Sequence, residues 1–214
     1  NDHTSAIHNG FIYVLGGVGA TTNVQYAPIN SNGTIGTWTA TTSLTAGRST
    51  HTTVVYNNFI YVIGGDDGIG NTLNTVQYAP FNADGTIGSW TATTSFAAAR
   101  RYHTTVVNNG YIYVIGGLQV NTDTICNPAT DNVCTDVQYA PISSDGSVGT
   151  WVQTTNFTPK KYDHASVIYN GYLYNLGGTN GVIQTIVQFS KFLQGNVSNW
   201  TSTTSFTTGR SGHA

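Results

Sequence analysis

The sequence contains no glutamate and no methionine, and charged residues make up only 7% of its 214 positions. In an ordinary soluble domain about a quarter of the residues are charged, so this surface must rely on uncharged polar side chains. The formal net charge of −2 gives no electrostatic reason to expect nucleic acid as a partner. All nine acidic residues are aspartates, so any pair of carboxylates for glycoside hydrolysis would have to come from these.

Long apolar segments are also missing. No run approaches the length of a membrane span, and no secretory signal peptide is recognisable, so membrane insertion is not expected. The chain has only two cysteines, Cys126 and Cys134. They lie in one predicted loop, where a disulfide is favoured over two free thiols. A metal site there lacks the histidine or second cysteine pair that a tetrahedral set needs. Together with the Thr- and Asn-rich surface, this favours an extracellular or cell-surface protein.

One pattern occurs four times along the chain. In each copy an apolar run ends in Gly-Gly, a single tryptophan follows, a basic residue stands ten positions later, and a histidine comes three positions after that. The tryptophans are Trp38, Trp90, Trp151 and Trp200; the basic residues are Arg48, Arg100, Lys161 and Arg210; the histidines are His51, His103, His164 and His213. The tryptophans are 52, 61 and 49 residues apart, which is the length of a four-stranded propeller blade.

The residues within each copy predict strands and no helix. In the second copy, Phe59–Ile63 is apolar on both faces, which we interpret as the innermost strand of a blade, ended by Gly64-Gly65. Thr75–Ala79 is the next predicted strand, and Asp84-Gly85 predicts a hairpin turn. A third strand follows Trp90, and a fourth begins at His103.

These motifs resemble kelch repeats. The matching residues are the Tyr-Val-Ile-Gly-Gly runs at 61–65 and 113–117, the Tyr-Ala-Pro at 26–28 and its later copies, the single tryptophan and the arginine before the fourth strand. The third copy departs from the pattern with Lys161, and the fourth replaces Tyr-Ala-Pro by Phe189-Ser190-Lys191. The resemblance covers essentially the whole chain and implies a β-propeller whose innermost strands end at the Gly-Gly pairs.

The expected fold is therefore all-β: a single kelch-like propeller domain over residues 1–214 with four four-stranded blades. The repeats are placed at about 11–56, 59–108, 111–169 and 172–214, the last completed by residues 3–8, so that the N-terminal strand closes the ring. The alternative is that the chain is part of a larger propeller. The repeated tryptophans and histidines, His3 included, are interpreted as structural, since each blade keeps them. The histidines are placed on an outer or next-to-outer strand.

The residues that break the repeat are better candidates for binding. The loops after the Gly-Gly pairs and before the histidines open on one face, which we expect to carry every charged residue except Asp84, Asp145 and Lys191. Two basic doublets next to tyrosine lie there, beside the Asp66-Asp67 pair and the long loop 118–136 with Asp123 and Asp131. The predicted ligand-binding residues are Arg100, Arg101, Tyr102, Lys160, Lys161, Tyr162, Asp163, Asp66 and Asp67.

Three functions remain open at this stage. The favoured one is a non-enzymatic binding or adhesion module that engages a glycan or a protein through this face. The alternatives are a structural repeat unit of a surface layer or fibre, with self-association of copies, and a propeller hydrolase or lyase. No cofactor is expected; Asp66, Asp67 and Asp123 are weak candidates for Ca²⁺, because no EF-hand-like spacing is present.

If the two cysteines form a disulfide, its reduction is expected to alter loop 118–136 while leaving the global melting temperature nearly unchanged. The reason is that the disulfide closes only a short local loop. Thermal unfolding with and without reductant tests this. A large fall in melting temperature would contradict it.

Overall fold

The protein is described by a computed structural model over residues 1–120, 126 and 132–212. These residues form strands and no helix, and hence no helix able to cross a membrane. The strands build four antiparallel sheets, the blades. Blade 1 contains β1 (Thr4–His8), β2 (Phe11–Leu15), β3 (Val24–Pro28) and β4 (Thr39–Ala40); blade 2 contains β5 (Thr52–Tyr56), β6 (Phe59–Ile63), β7 (Val76–Pro80) and β8 (Thr91–Thr93).

The other two blades repeat this order. Blade 3 contains β9 (Thr104–Asn108), β10 (Tyr111–Ile115), β11 (Val137–Pro141) and β12 (Val152–Gln153). Blade 4 contains β13 (Ala165–Tyr169), β14 (Tyr172–Leu176), β15 (Val187–Leu193) and β17 (Thr201–Thr203), with the short β16 (Asn196–Val197) paired to the end of β15. The expected all-β fold with four four-stranded blades is confirmed.

The innermost strands are β1, β5, β9 and β13, which pack against one another in that order. The prediction that Phe59–Ile63 is innermost was wrong: it is β6, the second strand of its sheet, paired on one side with β5 and on the other with β7. Being covered by strands on both edges and by blades on both faces, it is the most apolar strand, and Ile60 through Ile63 are fully buried. His3, His51, His103 and His164 therefore stand at the head of the innermost strands, and their placement on outer strands was wrong; His213 lies outside the described residues.

The blade boundaries move with this assignment. Strand β5 pairs with β6 of the second sheet rather than ending the first repeat. The prediction that the N-terminal strand completes the last blade was wrong, because Thr4–His8 pairs with Phe11–Leu15 in blade 1, while blade 4 has four strands of its own.

Neighbouring blades are joined by three apolar cores, one at each of the interfaces 1–2, 2–3 and 3–4. Three of the four tryptophans belong to these contacts, while Trp38 is 42% exposed. The Nε1 group of Trp90 donates to Thr42 O at 3.0 Å, that of Trp151 to Thr94 O at 2.8 Å and that of Trp200 to Thr155 O at 3.1 Å. Each acceptor lies in the preceding blade, so these three tryptophans are structural anchors.

A second repeated contact fixes the innermost strands. Thr52 Oγ1 lies 3.0 Å from His103 Nε2 and 2.6 Å from Thr105 Oγ1, both in the next blade. The imidazole of His103 lies against Gly64 of blade 2, where an added Cβ would come within 2.8 Å of its Cε1 atom and within 2.9 Å of Arg100 O. Gly64 also has a φ of +59°, so both its backbone conformation and its lack of a side chain are required.

Gly64→Ala is therefore expected to destabilise the protein by about 3 kcal/mol, combining left-handed strain with overpacking. The matched control is Gly70→Ala: its φ is +102°, but nothing lies within 4 Å of the added Cβ, so it should cost about 1–2 kcal/mol from strain alone. Denaturant unfolding of both variants measures the difference. Equal losses would show that the space beside His103 is not limiting.

Candidate functional site

The loops of one face meet at the mouth of the central channel. The segment that precedes each innermost strand forms reciprocal backbone hydrogen bonds with the loop that follows the Gly-Gly pair, at Ser49 with Asp66, Arg101 with Leu118 and Tyr162 with Thr179. These bonds lock the two kinds of loop together. The face predicted to collect the irregular loops thus exists, with a rigid backbone.

The residue immediately before each innermost histidine builds a collar around this mouth. The collar consists of Asp2, Thr50, Tyr102, Asp163 and Gly212, all with a positive φ between 51° and 62°. The N–H of each donates to the carbonyl of the one before it, at 2.9 Å (Thr50 to Asp2), 3.2 Å, 3.0 Å and 2.9 Å in succession. Non-glycine residues held in left-handed conformation by the surrounding structure often mark functional positions.

The collar surrounds a cavity of about 220 Å³. Besides the five collar residues, it is lined by four histidines, His3, His51, His103 and His164. Deeper in the channel, a second cavity of about 500 Å³ is lined largely by threonine and serine residues of the innermost strands. The mouth is therefore concave and polar, with carboxylates and an aromatic ring at its rim.

Five of the predicted binding residues come together on this rim. Arg101 Nη1 donates to Asp66 Oδ2 at 2.8 Å, and the guanidinium lies over the ring of Tyr102, 5.4 Å from its centroid. The rings of Tyr102 and Tyr162 are 6.2 Å apart. Asp163 follows Tyr162 directly and belongs to the collar. The side chain of Arg101 is 30% exposed, so its position is fixed while part of it remains accessible.

Asp67 and Lys160 lie farther out on the same face. The Asp67 carboxylate accepts hydrogen bonds from the side chain and backbone of Asn71 and the backbone of Ile69, which hold its pKa below the usual value. It therefore organises its own loop. Lys160 is half-buried. Asp123 and Asp131, also expected on this face, lie outside the described residues.

Arg100 is not on the surface, contrary to the prediction that it binds ligand. It is fully buried and makes a bidentate ion pair with Asp136, at 2.7 and 2.9 Å. Its Nη1 also donates to Gly116 O, and Gln138 donates to Asp136. A buried arginine with its charge neutralised and its donors satisfied holds blades 2 and 3 together rather than contacting a ligand.

Lys161 is the counterpart of Arg100 in the next repeat and is also fully buried, so it too leaves the predicted binding surface. The position of Asp136 is taken in blade 4 by Ile186, which offers no acceptor side chain. The Lys161 Nζ atom has no hydrogen-bond partner among the described residues and lies 6.0 Å from the ring centre of Phe157. Burial lowers the pKa of this amine to about 8.

The channel histidines are held by the fold. Nε2 of His51, His103 and His164 lies 2.8–3.0 Å from a threonine hydroxyl of the preceding blade. Burial, followed by the nearby Arg48 and His3, lowers the pKa of His51 to about 3, so this ring is neutral at physiological pH. The Nδ1 atoms of His51 and His103 are also buried. Neither nitrogen of these two rings is therefore placed to accept a proton from a molecule in the cavity.

The loop cysteines are joined by a disulfide, as predicted, with the Cα atoms of Cys126 and Cys134 4.7 Å apart. Together with Asp136 they form the only close cluster of three or more potential His, Cys or Asp metal ligands in the described part of the chain. Because both sulfurs are in the disulfide and Asp136 is paired with Arg100, this cluster is unsuited to a metal ion.

Three collar residues, Asp2, Thr50 and Gly212, were not predicted from the sequence. The signal that identifies them is positional: each stands one residue before a repeated histidine, as Tyr102 and Asp163 do. The position recurs in every repeat, but its residue type changes from blade to blade, so a search for recurring residue types does not find it.

Two of the three buried basic residues, Arg100 and Lys161, give a matched prediction. Arg100→Met should destabilise the protein by about 3–5 kcal/mol, because Asp136 would be left buried and unpaired. Lys161→Met should be neutral or stabilising, because it removes a buried amine that has no acidic partner. Denaturant unfolding of the two variants measures both effects. Comparable losses would contradict the different roles assigned to the two side chains.

Lys161 also predicts a pH dependence. An unfolded lysine has a pKa near 10.4 and the folded one about 8, so between these values the unfolded chain binds more protons. Wild-type stability should therefore rise as the pH increases from about 8 to about 10. In Lys161→Met this rise should be missing, as shown by unfolding curves over that range; the same rise in both proteins would contradict it.

Comparison with known proteins agrees with this architecture. A family model described as the kelch motif matches residues 47–78, the stretch from the end of blade 1 through β5, β6 and most of β7. Among curated proteins, no sequence matches the chain. A solved structure titled "Structure of YjhT" is similar, with a TM-score of 0.75 and 18% identity over 98% of this chain and 66% of that one.

At 18% identity this similarity concerns the fold alone, and the present chain spans 66% of the length of YjhT. The kelch motif, the four antiparallel blades and the similar solved fold all agree with the repeats recognised in the sequence. The chain therefore has a β-propeller fold similar to that of the solved structure and carries a kelch motif at residues 47–78.

Proposed function

We propose that this chain is a non-enzymatic binding and adhesion module of a secreted or cell-surface protein, and that it engages a glycan or protein ligand at the channel mouth. The observation that carries the proposal is the grouping of Asp66, Arg101, Tyr102, Tyr162 and Asp163 on one rim. Propellers support many functions, so the proposal depends on this site and not on the fold.

The chemistry of the rim suits recognition. Asp66 holds the Arg101 guanidinium in one orientation, which reduces the entropy lost when it binds a carboxylate, a sulfate or a carbonyl group. The rings of Tyr102 and Tyr162 offer apolar surface with hydroxyl groups, a combination enriched in binding hot spots and able to stack on sugars. The collar below them is fixed by backbone hydrogen bonds, so the site is preorganised.

An enzymatic function is the second candidate for the same cavity, whose lining includes the carboxylates of Asp2 and Asp163. Acid–base catalysis needs a proton-transferring group within reach of the substrate. The imidazoles of His51 and His103 line the cavity, but they contact threonine through Nε2 and bury Nδ1. The disulfide and the uncharged polar surface are compatible with an extracellular location, which forms part of the proposal.

The test is a glycan-array screen of the purified chain, run with calcium and with chelator, followed by variants at the rim. Arg101→Ala combined with Lys160→Ala should weaken a saturable hit at least tenfold, since hydrogen bonds to charged groups contribute about 1.5–3 kcal/mol. Stability should fall by less than in Arg100→Met, because Arg101 is 30% exposed and Asp66, although largely buried, also accepts a hydrogen bond from the N–H of Gly68. Binding that persists only with calcium would assign the ion a role.

The matched control is Lys191→Ala, which removes an exposed charge from β15, away from the mouth. It should leave affinity unchanged. If affinity survives the double substitution, the site lies elsewhere. If the array is blank, the glycan part of the proposal fails and a protein ligand is left for the rim.

A further inference from the structure

A third cavity opens on the face of the propeller opposite the channel mouth. Its volume is about 280 Å³, and it lies between two consecutive blades, with His8 and Phe11 of blade 1 on one side and Phe81 and Asn82 of blade 2 on the other. His3, just before β1, lines the mouth, whereas His8 ends the same strand, which places the two about 16 Å apart along the chain. We call this cavity the lower cleft.

Two of the residues that line the lower cleft break the repeat. His8 Nε2 lies 3.1 Å from Asn58 Oδ1. The positions equivalent to His8 hold Tyr56, Asn108 and Tyr169, and those equivalent to Asn58 hold Gly10, Gly110 and Gly171. The same pair cannot form between blades 2 and 3 or between blades 3 and 4, because glycine replaces Asn58 there. Holding blades together therefore does not explain why blades 1 and 2 carry it.

Both side chains of this pair are fixed by their neighbours. The His8 ring stacks on Phe81, with the ring centroids 4.1 Å apart and the planes inclined by 16°. Asn58 Nδ2 donates to Phe81 O at 2.8 Å. An imidazole and an amide that are already held in one orientation lose little conformational entropy when a ligand binds.

Aromatic rings form the apolar part of the lower cleft. The Tyr13 hydroxyl donates to Gly85 O at 2.8 Å, and its ring lies 5.0 Å from that of Phe81. Phe11 is partly exposed and packs over Gly85, where an added Cβ would come within 2.7 Å of the Phe11 Cζ atom. The cleft thus has apolar ring surface next to the His8–Asn58 pair.

Polar atoms at the edge of the lower cleft keep hydrogen-bonding capacity. His8 uses Nε2 for Asn58, and Asn82 uses Nδ2 for Thr86 Oγ1 at 2.9 Å. Within the described part of the chain, His8 Nδ1 and Asn82 Oδ1 are left without a hydrogen-bond partner, and the exposed side chain of Asn9 lies beside them. Among the described residues, no aspartate, lysine or arginine lines the cleft.

We propose that the lower cleft binds a single neutral sugar ring. A charged ligand would lose hydration without gaining an ion pair there. A neutral sugar offers an apolar C–H face for the aromatic rings and hydroxyl groups that both donate to and accept from amide and imidazole groups. The volume lies just below the range of roughly 300–1,000 Å³ that is usual for small-molecule sites, which favours one ring over an oligosaccharide. This site is separate from the mouth, and the inference does not rest on the function proposed there.

The test is a titration of the purified chain with the methyl glycosides of glucose, galactose, mannose and N-acetylglucosamine. Saturation-transfer NMR on the sugar signals detects binding, and calorimetry gives its affinity. At least one of these neutral glycosides should bind saturably. Binding by none of them overturns the proposal.

Two substitutions restore residues that other blades carry at the same positions. Asn58→Gly and His8→Asn should each weaken the affinity at least tenfold, because each removes a hydrogen-bonding side chain from the cleft. Both variants should stay folded, since glycine and asparagine are accommodated at these positions in the other repeats, and melting temperatures check this. The matched control is Asn32→Asp, which restores the residue of Asp84 and Asp145 in a hairpin turn outside the cleft and should bind like the wild type.

The variants also separate this site from the mouth. Arg101→Ala combined with Lys160→Ala should leave the affinity for the methyl glycoside unchanged. If that double variant loses binding while Asn58→Gly and His8→Asn retain it, the sugar binds at the mouth and the assignment to the lower cleft is overturned. Equal binding by all variants would overturn it as well.

Discussion

The packing of His51, His103 and His164 against the preceding blade is the contact on which the rest of the structure depends. Each ring needs a glycine beneath it, as at Gly64 under His103, and a threonine hydroxyl at Nε2. With the histidine in this position, the residue directly before it lies in the collar. The basic residue three positions before the histidine lies in the interface between the blades. A single packing requirement thus explains why the Gly-Gly pair, the basic residue and the histidine recur together.

The same contact determines which side chains enter the interface between blades and which point towards the channel mouth. Residues directed into the interface, such as Arg100 and His103, are buried and constrained by partners in the neighbouring blade. Residues directed outwards at the mouth, such as Arg101 and Tyr102, are fixed through their backbone while their side chains are free to differ between blades. Four copies of one scaffold therefore present four different side-chain sets around one channel.

The blade count, the strand content, the disulfide and the face that carries the loops could all be predicted from the sequence, because each depends on a local signal repeated in phase. The order of strands could not. Phe59–Ile63 is more apolar than Thr52–Tyr56, and apolarity was taken to indicate the innermost strand. In a propeller the second strand is enclosed on every side, whereas the innermost strand has one edge on a wet, hydroxyl-lined channel. Maximum apolarity therefore identifies the second strand.

The error over Arg100 and Lys161 has a different cause. The reasoning that made the repeated histidines and tryptophans structural applied equally to the repeated basic residue, and only Arg101 and Lys160 were additional to the pattern. The sequence does not signal that Asp136 pairs with Arg100, because the equivalent position holds Thr75 in blade 2 and Ile186 in blade 4. Among the described residues this buried ion pair is not repeated in the other blades, so the repeat pattern cannot predict it. It emerges only when the fold brings residues 36 positions apart into contact, and the same fold then leaves Lys161 as a buried cation in the neighbouring interface.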